Sequence, residues 1–289
     1  MPFPYKTVLV LGATSGIGLA LTEKMLSQGV SKIIALGRRQ DKLDDLQKKH
    51  GGSHVSTVKF DITNLQGIPE MINGHVALHP RLVLKSHPTL DCAFLNSGIQ
   101  RPLDFTQPES IDLDLISTEL TTNYLSHVHL SKALLPHLQR RARGGENAAL
   151  IFTTSGLALV PIVRCGNYCA SKAALHQLIL VLREQLRHQG GGAGTEEEKA
   201  RHGKGVKVIE IYPPAVQTEL HDEKHQPDIK DGRNFGMPLD EFTEEAWRGL
   251  ERGDEDIPVG TVWTGFGYER VEISRKKLFK EMIEKLEGN

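Results

Sequence analysis

Cysteine is scarce: the chain of 289 residues has three, Cys92, Cys165 and Cys169. An odd count rules out a simple disulfide scaffold and points to a reducing compartment. Cys165 and Cys169 stand four apart and read either as a redox pair or as two small buried residues flanking a turn. An excess of charge of one sign is also missing. The formal net charge is −1 and the pI about 6.9, which leaves no footprint for nucleic acid and no polybasic patch for a membrane surface. Histidine is plentiful but scattered, and no His-Glu-x-x-His or Cys-x-x-Cys spacing occurs, so no metal site is expected. No apolar run is long enough to span a bilayer. The first residues, MPFPYKTVLVLG, enter an apolar strand with no basic n-region, h-region or cleavage site. The expectation is a soluble, cytoplasmic protein.

What is present is a rhythm. Short aliphatic runs, TVLVL (7–11), KIIAL (32–36), STVKF (56–60), DCAFL (91–95), AALIFT (148–153) and VKVIEIY (206–212), alternate with helical patterns. The runs show little polar alternation, as expected of parallel strands covered on both faces. The pattern predicts an α/β fold: a doubly wound parallel sheet of six to seven strands with helices on both faces. The whole chain, 1–289, reads as a single dinucleotide-binding and catalytic domain. Three stretches break the rhythm. Residues 79–89 read as an inserted loop, and 189–205, rich in glycine and charge, as a surface loop. Residues 213–240 form a long irregular stretch of the kind that serves as a substrate loop. A C-terminal extension, 241–289, adds one more strand candidate, DIPVG (256–260). It ends in an amphipathic helix over 275–287 with Leu278, Met282, Ile283 and Leu286 on one side.

Between the first strand and first helix lies LGATSGIG. Gly12 permits a tight turn, Gly16 lets a pyrophosphate approach the backbone, and Gly18 lets helix and strand pack closely. The second strand ends in LGRR, with Gly37 where NAD binders carry an acid, followed by Arg38 and Arg39. Without a carboxylate a 2′-phosphate is not repelled, and a guanidinium holds it well. This favours NADP(H), although the two arginines also suit the start of a solvated helix.

The stretch GNYCASKAAL puts Tyr168 and Lys172 on one helix face. An ordinary phenol has a pKa near 10. A neighbouring ammonium is expected to lower it and make the tyrosine a useful acid or base. Ser155 follows the fifth strand, at the sheet edge where ligands bind. Asn123 sits mid-helix, a poor place for asparagine by propensity. Asp61 and the run Asn96-Ser97-Gly98 end strands at the same edge.

Taken together, these motifs resemble the short-chain dehydrogenase/reductase family, in its compact single-domain branch, over residues 6 to about 220. Ser155 precedes Tyr168 by 13 residues, the family's usual spacing, and PPAVQT (213–218) follows the sixth strand. The tail loosely resembles a DltE-like subgroup. The resemblance implies an oxidoreductase moving hydride between nicotinamide and a carbonyl or alcohol substrate. Tyr168 would donate or remove the proton, Lys172 would lower its pKa and bind ribose, Ser155 would hold the substrate oxygen, and Asn123 would anchor a water. The cofactor would meet Gly12, Thr14, Ser15, Gly16, Ile17 and Gly18 at the turn and Gly37, Arg38 and Arg39 beyond the second strand. Asp61 and Ile62 would contact adenine; Asn96, Ser97 and Gly98 would line its path; Pro213, Val216 and Thr218 would lie near nicotinamide. Two departures stand out: Ser97 replaces the family's usual alanine, and Pro214 its usual glycine. The resemblance also implies a homodimer or homotetramer built on helices at about 108–138 and 167–188. Two other readings remain open: an NADP(H)-binding sensor or assembly protein without turnover, and, ranked below it, a nucleotide-sugar epimerase or dehydratase, for which the tail is short.

Overall fold

The computed structural model describes residues 3–74, 83–189 and 205–287. In chain order the elements are β1 (Thr7–Leu11), α1 (Gly16–Ser27), β2 (Lys32–Gly37), α2 (Gln40–His50), β3 (Val55–Lys59), α3 (Ile68–Asn73), α4 (Val83–Ser86) and β4 (Cys92–Leu95). Then come α5 (Leu113–Leu120), α6 (Ser126–Arg143), β5 (Ala149–Thr153), α7 (Gly166–Gln189), β6 (Lys207–Tyr212), α8 (Leu239–Arg252), β7 (Asp256–Pro258) and α9 (Ile273–Glu287). Among the described residues seven strands form one parallel sheet in the order β3-β2-β1-β4-β5-β6-β7. The order reverses between β1 and β4, and ligand sites of such sheets open there, beyond the strands' carboxyl ends.

Successive strand residues point to opposite faces, and each face has its own core. Leu9, Leu11, Leu95, Leu150 and Phe152 pack with Leu130 and Leu134 of α6 and Leu175 and Ile179 of α7. Val8, Val10, Phe94, Ile151 and Ile209 pack with Leu21 and Met25 of α1 and with Phe242 and Trp247 of α8. A sheet buried on both sides explains why its strands read as unbroken aliphatic runs.

The expected loop at 79–89 lies partly outside the described residues; its later part holds the short α4. The expected loop at 189–205 falls almost wholly outside them. The C-terminal helix forms over 273–287, but its apolar side is not turned to the core: Leu278, Met282 and Leu286 are exposed. What attaches this helix is charge. Glu272, Arg275 and Lys276 reach into a buried cluster with His176, Glu210 and Asp256. Arg183, buried on α7, ion-pairs with the same Asp256 at 2.8 Å.

Candidate active site

The site begins at the glycine turn. Gly12 and Gly16 hold positive φ (74° and 51°), which glycine adopts without strain. A Cβ at Gly18 would lie 2.2 Å from the Gly12 carbonyl oxygen, so the helix closes on the strand only because that side chain is missing. The first turn of α1 therefore offers its free N–H groups to an anion. This cradle opens into a cavity of about 1320 Å³ along the sheet's carboxyl edge. Of the residues expected to act, all but Gly18 and Asn123 line it. Gly18 serves from behind through packing, and Asn123 through the backbone it holds.

Asn123 explains its own oddity. It lies in a π-helical turn, Thr121–Leu125, between α5 and α6. Such wide turns cluster at functional sites. Its amide is spent on protein: Oδ1 accepts from Ile99 N at 2.8 Å, and Nδ2 donates to Ile99 O at 2.8 Å and Ser171 Oγ at 3.0 Å. The side chain clamps the segment after Gly98. A Cβ on Gly98 would stand 3.4 Å from both Asn123 Oδ1 and Lys172 Nζ.

Tyr168 and Lys172 occupy the first two turns of α7 and are both buried. Lys172 Nζ donates to Thr153 O at 2.9 Å and sits 5.7 Å from the centre of the Tyr168 ring. Ser155 caps the short turn Gly156–Ala158, its Oγ accepting from Leu157 N at 3.1 Å. Gly156 N in turn donates to Pro213 O at 2.9 Å, which ties the serine turn to the segment after β6. Beneath it Thr154 Oγ1 donates to buried Glu210 at 2.7 Å.

At the far end the two arginines divide. Arg39 is held in place: it donates to Glu219 Oε2 at 2.8 Å and to Thr14 O and Oγ1 at 3.2 Å. Arg38 is exposed and, among the described residues, makes only a loose 4.0 Å ion pair with Asp61. Gly37 is more than an absent acid, because a Cβ there would come within 2.7 Å of Thr14 Cγ2.

The family model for short chain dehydrogenases matches residues 6–228. The chain is 31% identical over 258 residues to the uncharacterized oxidoreductase DltE of Bacillus subtilis strain 168, covering 89% of each. It is 30% identical over 209 residues, 72% of each, to the NADP-dependent 3-hydroxy acid dehydrogenase YdfG of Escherichia coli O6:H1. A short chain dehydrogenase/reductase from Burkholderia phymatum, solved in complex with NAD, superposes with a TM-score of 0.74 at 17% identity, over 95% of this chain and 96% of that one. This chain belongs to the short-chain dehydrogenase/reductase family. The family makes it an oxidoreductase with a nicotinamide cofactor, and the cradle and cavity fit such a dinucleotide.

One expectation carried into the short-chain dehydrogenase site meets an opposing effect. Lys172 was expected to make the Tyr168 phenol acidic, yet burial pushes that phenol well above its ordinary range, and a hydrogen bond with Ser155 offsets only part of this. The lysine stands 5.7 Å from the ring centre, and its charge does not overcome desolvation of the phenol. The same burial pulls Lys172 down to about 8, against the opposing pull of two buried carboxylates, Glu119 and Glu210.

Sequence reasoning missed these two acids. Glu119 accepts from Arg101 N at 2.9 Å and from Asn167 Nδ2 at 2.6 Å. It also missed the clasp of the 213–240 segment, where Arg164 pairs with Asp228 at 2.7 Å and donates to Gln226 at 2.7 Å. Phe266 went unnoticed too; its ring would stand 2.8 Å from a Cβ on Gly156. Each contact joins positions 18 or more residues apart, and no local spacing announces it.

Among the described residues no helix is long and apolar enough to cross a membrane. Among them, too, no cluster of three or more His, Cys, Asp or Glu side chains is placed to hold a metal ion.

Proposed function

We propose that this protein is an NADPH-dependent reductase of ketones or aldehydes, able in the reverse direction to oxidise the corresponding alcohol. The observation that carries the reading is the convergence of Ser155, Tyr168 and Lys172 on the wall of a cavity that starts at the glycine turn. When bound, the dihydronicotinamide supplies the hydride. Ser155 holds the substrate's carbonyl oxygen. Tyr168 gives its proton to that oxygen as the carbonyl carbon is reduced. Lys172, the buried ammonium beside the phenol, holds the nicotinamide ribose and returns a proton to Tyr168. Asn123 keeps the Ile99 backbone, and with it Gly98, clear of the lysine.

Two features support NADP over NAD. A side chain at Gly37 would crowd Thr14, and among the described residues Arg38 makes no ion pair closer than 4.0 Å. YdfG, at 30% identity, is an NADP-dependent enzyme. Gly12, Thr14, Ser15, Gly16 and Ile17 take the pyrophosphate end, Asp61 and Ile62 the adenine, and Asn96 to Gly98 the path between. Pro213, Val216 and Thr218 sit by the nicotinamide. The chain acts as one domain with 213–240 as its substrate loop and 241–289 as an extension behind the catalytic turn. The exposed apolar residues Leu113 and Leu115 on α5 and Val181 on α7 suit a homodimer or homotetramer in the cytoplasm.

The test is NADPH oxidation over a panel of carbonyl compounds, with Tyr168→Phe beside the wild type. Turnover should fall about 10²- to 10⁴-fold in the variant, with NADPH affinity unchanged. Tight NADPH binding without turnover of any compound would favour a cofactor-bound sensor instead.

A further inference from the structure

The two cysteines left open by their spacing meet in the fold. Cys165 ends the turn that leads into α7, and Cys169 lies in the helix's first turn, directly after Tyr168. Their sulfurs are 4.0 Å apart. One helical turn of four residues rises about 6 Å, inside the Cα separation of roughly 4.4–6.8 Å that a disulfide accepts. A bond of about 2 Å therefore needs the sulfurs to close by a similar distance. Cys165 lies in the short turn that precedes the regular helix, and the closing movement is assigned to it. Both thiols are buried: Leu157 packs on them together with Tyr168, and Leu157 and Tyr168 also line the cavity.

We propose that Cys165 and Cys169 form a reversible disulfide that disables the site. The oxidant is a peroxide. The Cys169 thiolate attacks the O–O bond, an S–O bond forms, and the departing hydroxide leaves as water after taking a proton. The Cys165 sulfur then attacks the Cys169 sulfur; the S–S bond forms, the S–O bond breaks, and the second hydroxide leaves as water with the proton of Cys165. Two thiols lose two electrons and one peroxide becomes two waters. A dithiol reverses the step.

Cys169, in the first turn of α7, is the better placed of the two to act as the thiolate. The contact between the two sulfurs holds the Cys169 thiol below the usual thiol range, and the same contact together with burial pushes Cys165 up. A position at a helix N-terminus adds to the first effect.

Closing the pair reaches the site on both sides. Cys165 accepts from Gln100 Nε2 at 3.4 Å, and Gln100 Oε1 accepts from Gln226 of the 213–240 segment at 2.9 Å. Drawing Cys165 towards the helix breaks that chain and displaces the turn that carries Tyr168. A misplacement of about 1 Å at a reacting group costs on the order of 100-fold in rate. The loss of turnover rests on the reductase reading above; the disulfide itself does not.

The experiment treats the full chain with hydrogen peroxide, then unfolds and alkylates it for mass analysis. One thiol, Cys92, should remain of three, and the protein should be two hydrogens lighter. NADPH oxidation should fall at least about tenfold with NADPH binding kept, and dithiothreitol should restore it. Cys165→Ser and Cys169→Ser should each fail to lose the two hydrogens and lose the dithiol-reversible inactivation, while Cys92→Ser should respond like the wild type. Three alkylatable thiols after peroxide would overturn the proposal, as would a disulfide with full activity or the same reversible inactivation in Cys165→Ser. The thiol count decides the pair even if no carbonyl is turned over, in which case the reductase reading alone fails.

Discussion

Lys172→Met should make the protein more stable at neutral pH while ending its activity. Lys172 is 2% exposed, and burial lowers its pKa from 10.5 to about 8. At about 1.4 kcal/mol per pKa unit, holding this ammonium inside the fold costs roughly 3 kcal/mol at pH 7. Methionine has a similar unbranched length and no charge, so it removes that cost. It also removes the hydrogen bond to Thr153 O, worth about 1 kcal/mol. The net gain at pH 7 is on the order of 2 kcal/mol. The sign changes with pH. Between about 8 and 10.5 the unfolded lysine keeps its proton and the folded one has lost it, so the wild type's stability rises with pH through that window. By pH 10 most of the charge term is gone and the two proteins are about equally stable; above the window the variant is left about 1 kcal/mol less stable for want of the hydrogen bond. Urea unfolding of both proteins at pH 7 and pH 10 measures the difference, and other titrating groups cancel in it. A variant destabilised by the same amount at both pH values would refute the reasoning, because the ammonium would then carry no burial cost.

The cofactor end makes two further predictions. Arg38→Ala should raise the Kd for NADPH about 10- to 100-fold, the worth of hydrogen bonds to a charged group, and leave NADH within a factor of two; equal loss for both would remove the 2′-phosphate contact. Gly37→Asp alone should weaken both cofactors, because the new Cβ meets Thr14 Cγ2 at 2.7 Å. Adding Thr14→Gly should recover NADH but not NADPH in the same titration, and recovery of NADPH would show that Gly37 does not set the choice.

The sheet was legible because both its faces are covered, which strips its strands of polar alternation. Even the weak DIPVG run became β7, although only Asp256–Pro258 pair. The terminal helix shows the limit of periodicity. Leu278, Met282 and Leu286 do share a side, but the sequence cannot say what lies opposite, and that side faces outward. Asn123 was legible as a violation: a residue that costs a helix is kept where its amide replaces two backbone partners. Arg38 and Arg39 were legible as a pair, but which of them is free depends on Glu219, 180 positions away.

The acid–base pair shows why charge placement alone misleads. Spacing correctly put Lys172 beside Tyr168, but the sign of the phenol's shift is set by desolvation, which belongs to the packed molecule. Burial acts on both groups so as to disfavour ions, raising the phenol and lowering the ammonium. On a titration upward from neutral pH, the lysine gives up its proton first and the tyrosine keeps its own. A carbonyl reduction needs a neutral phenol with a proton to give, and the buried site holds that form without help. The oxidative direction needs a phenolate, which this wall disfavours until another positive charge stands close by. Burial of the two side chains therefore favours the protonated phenol, the form on which the proposed reduction would draw.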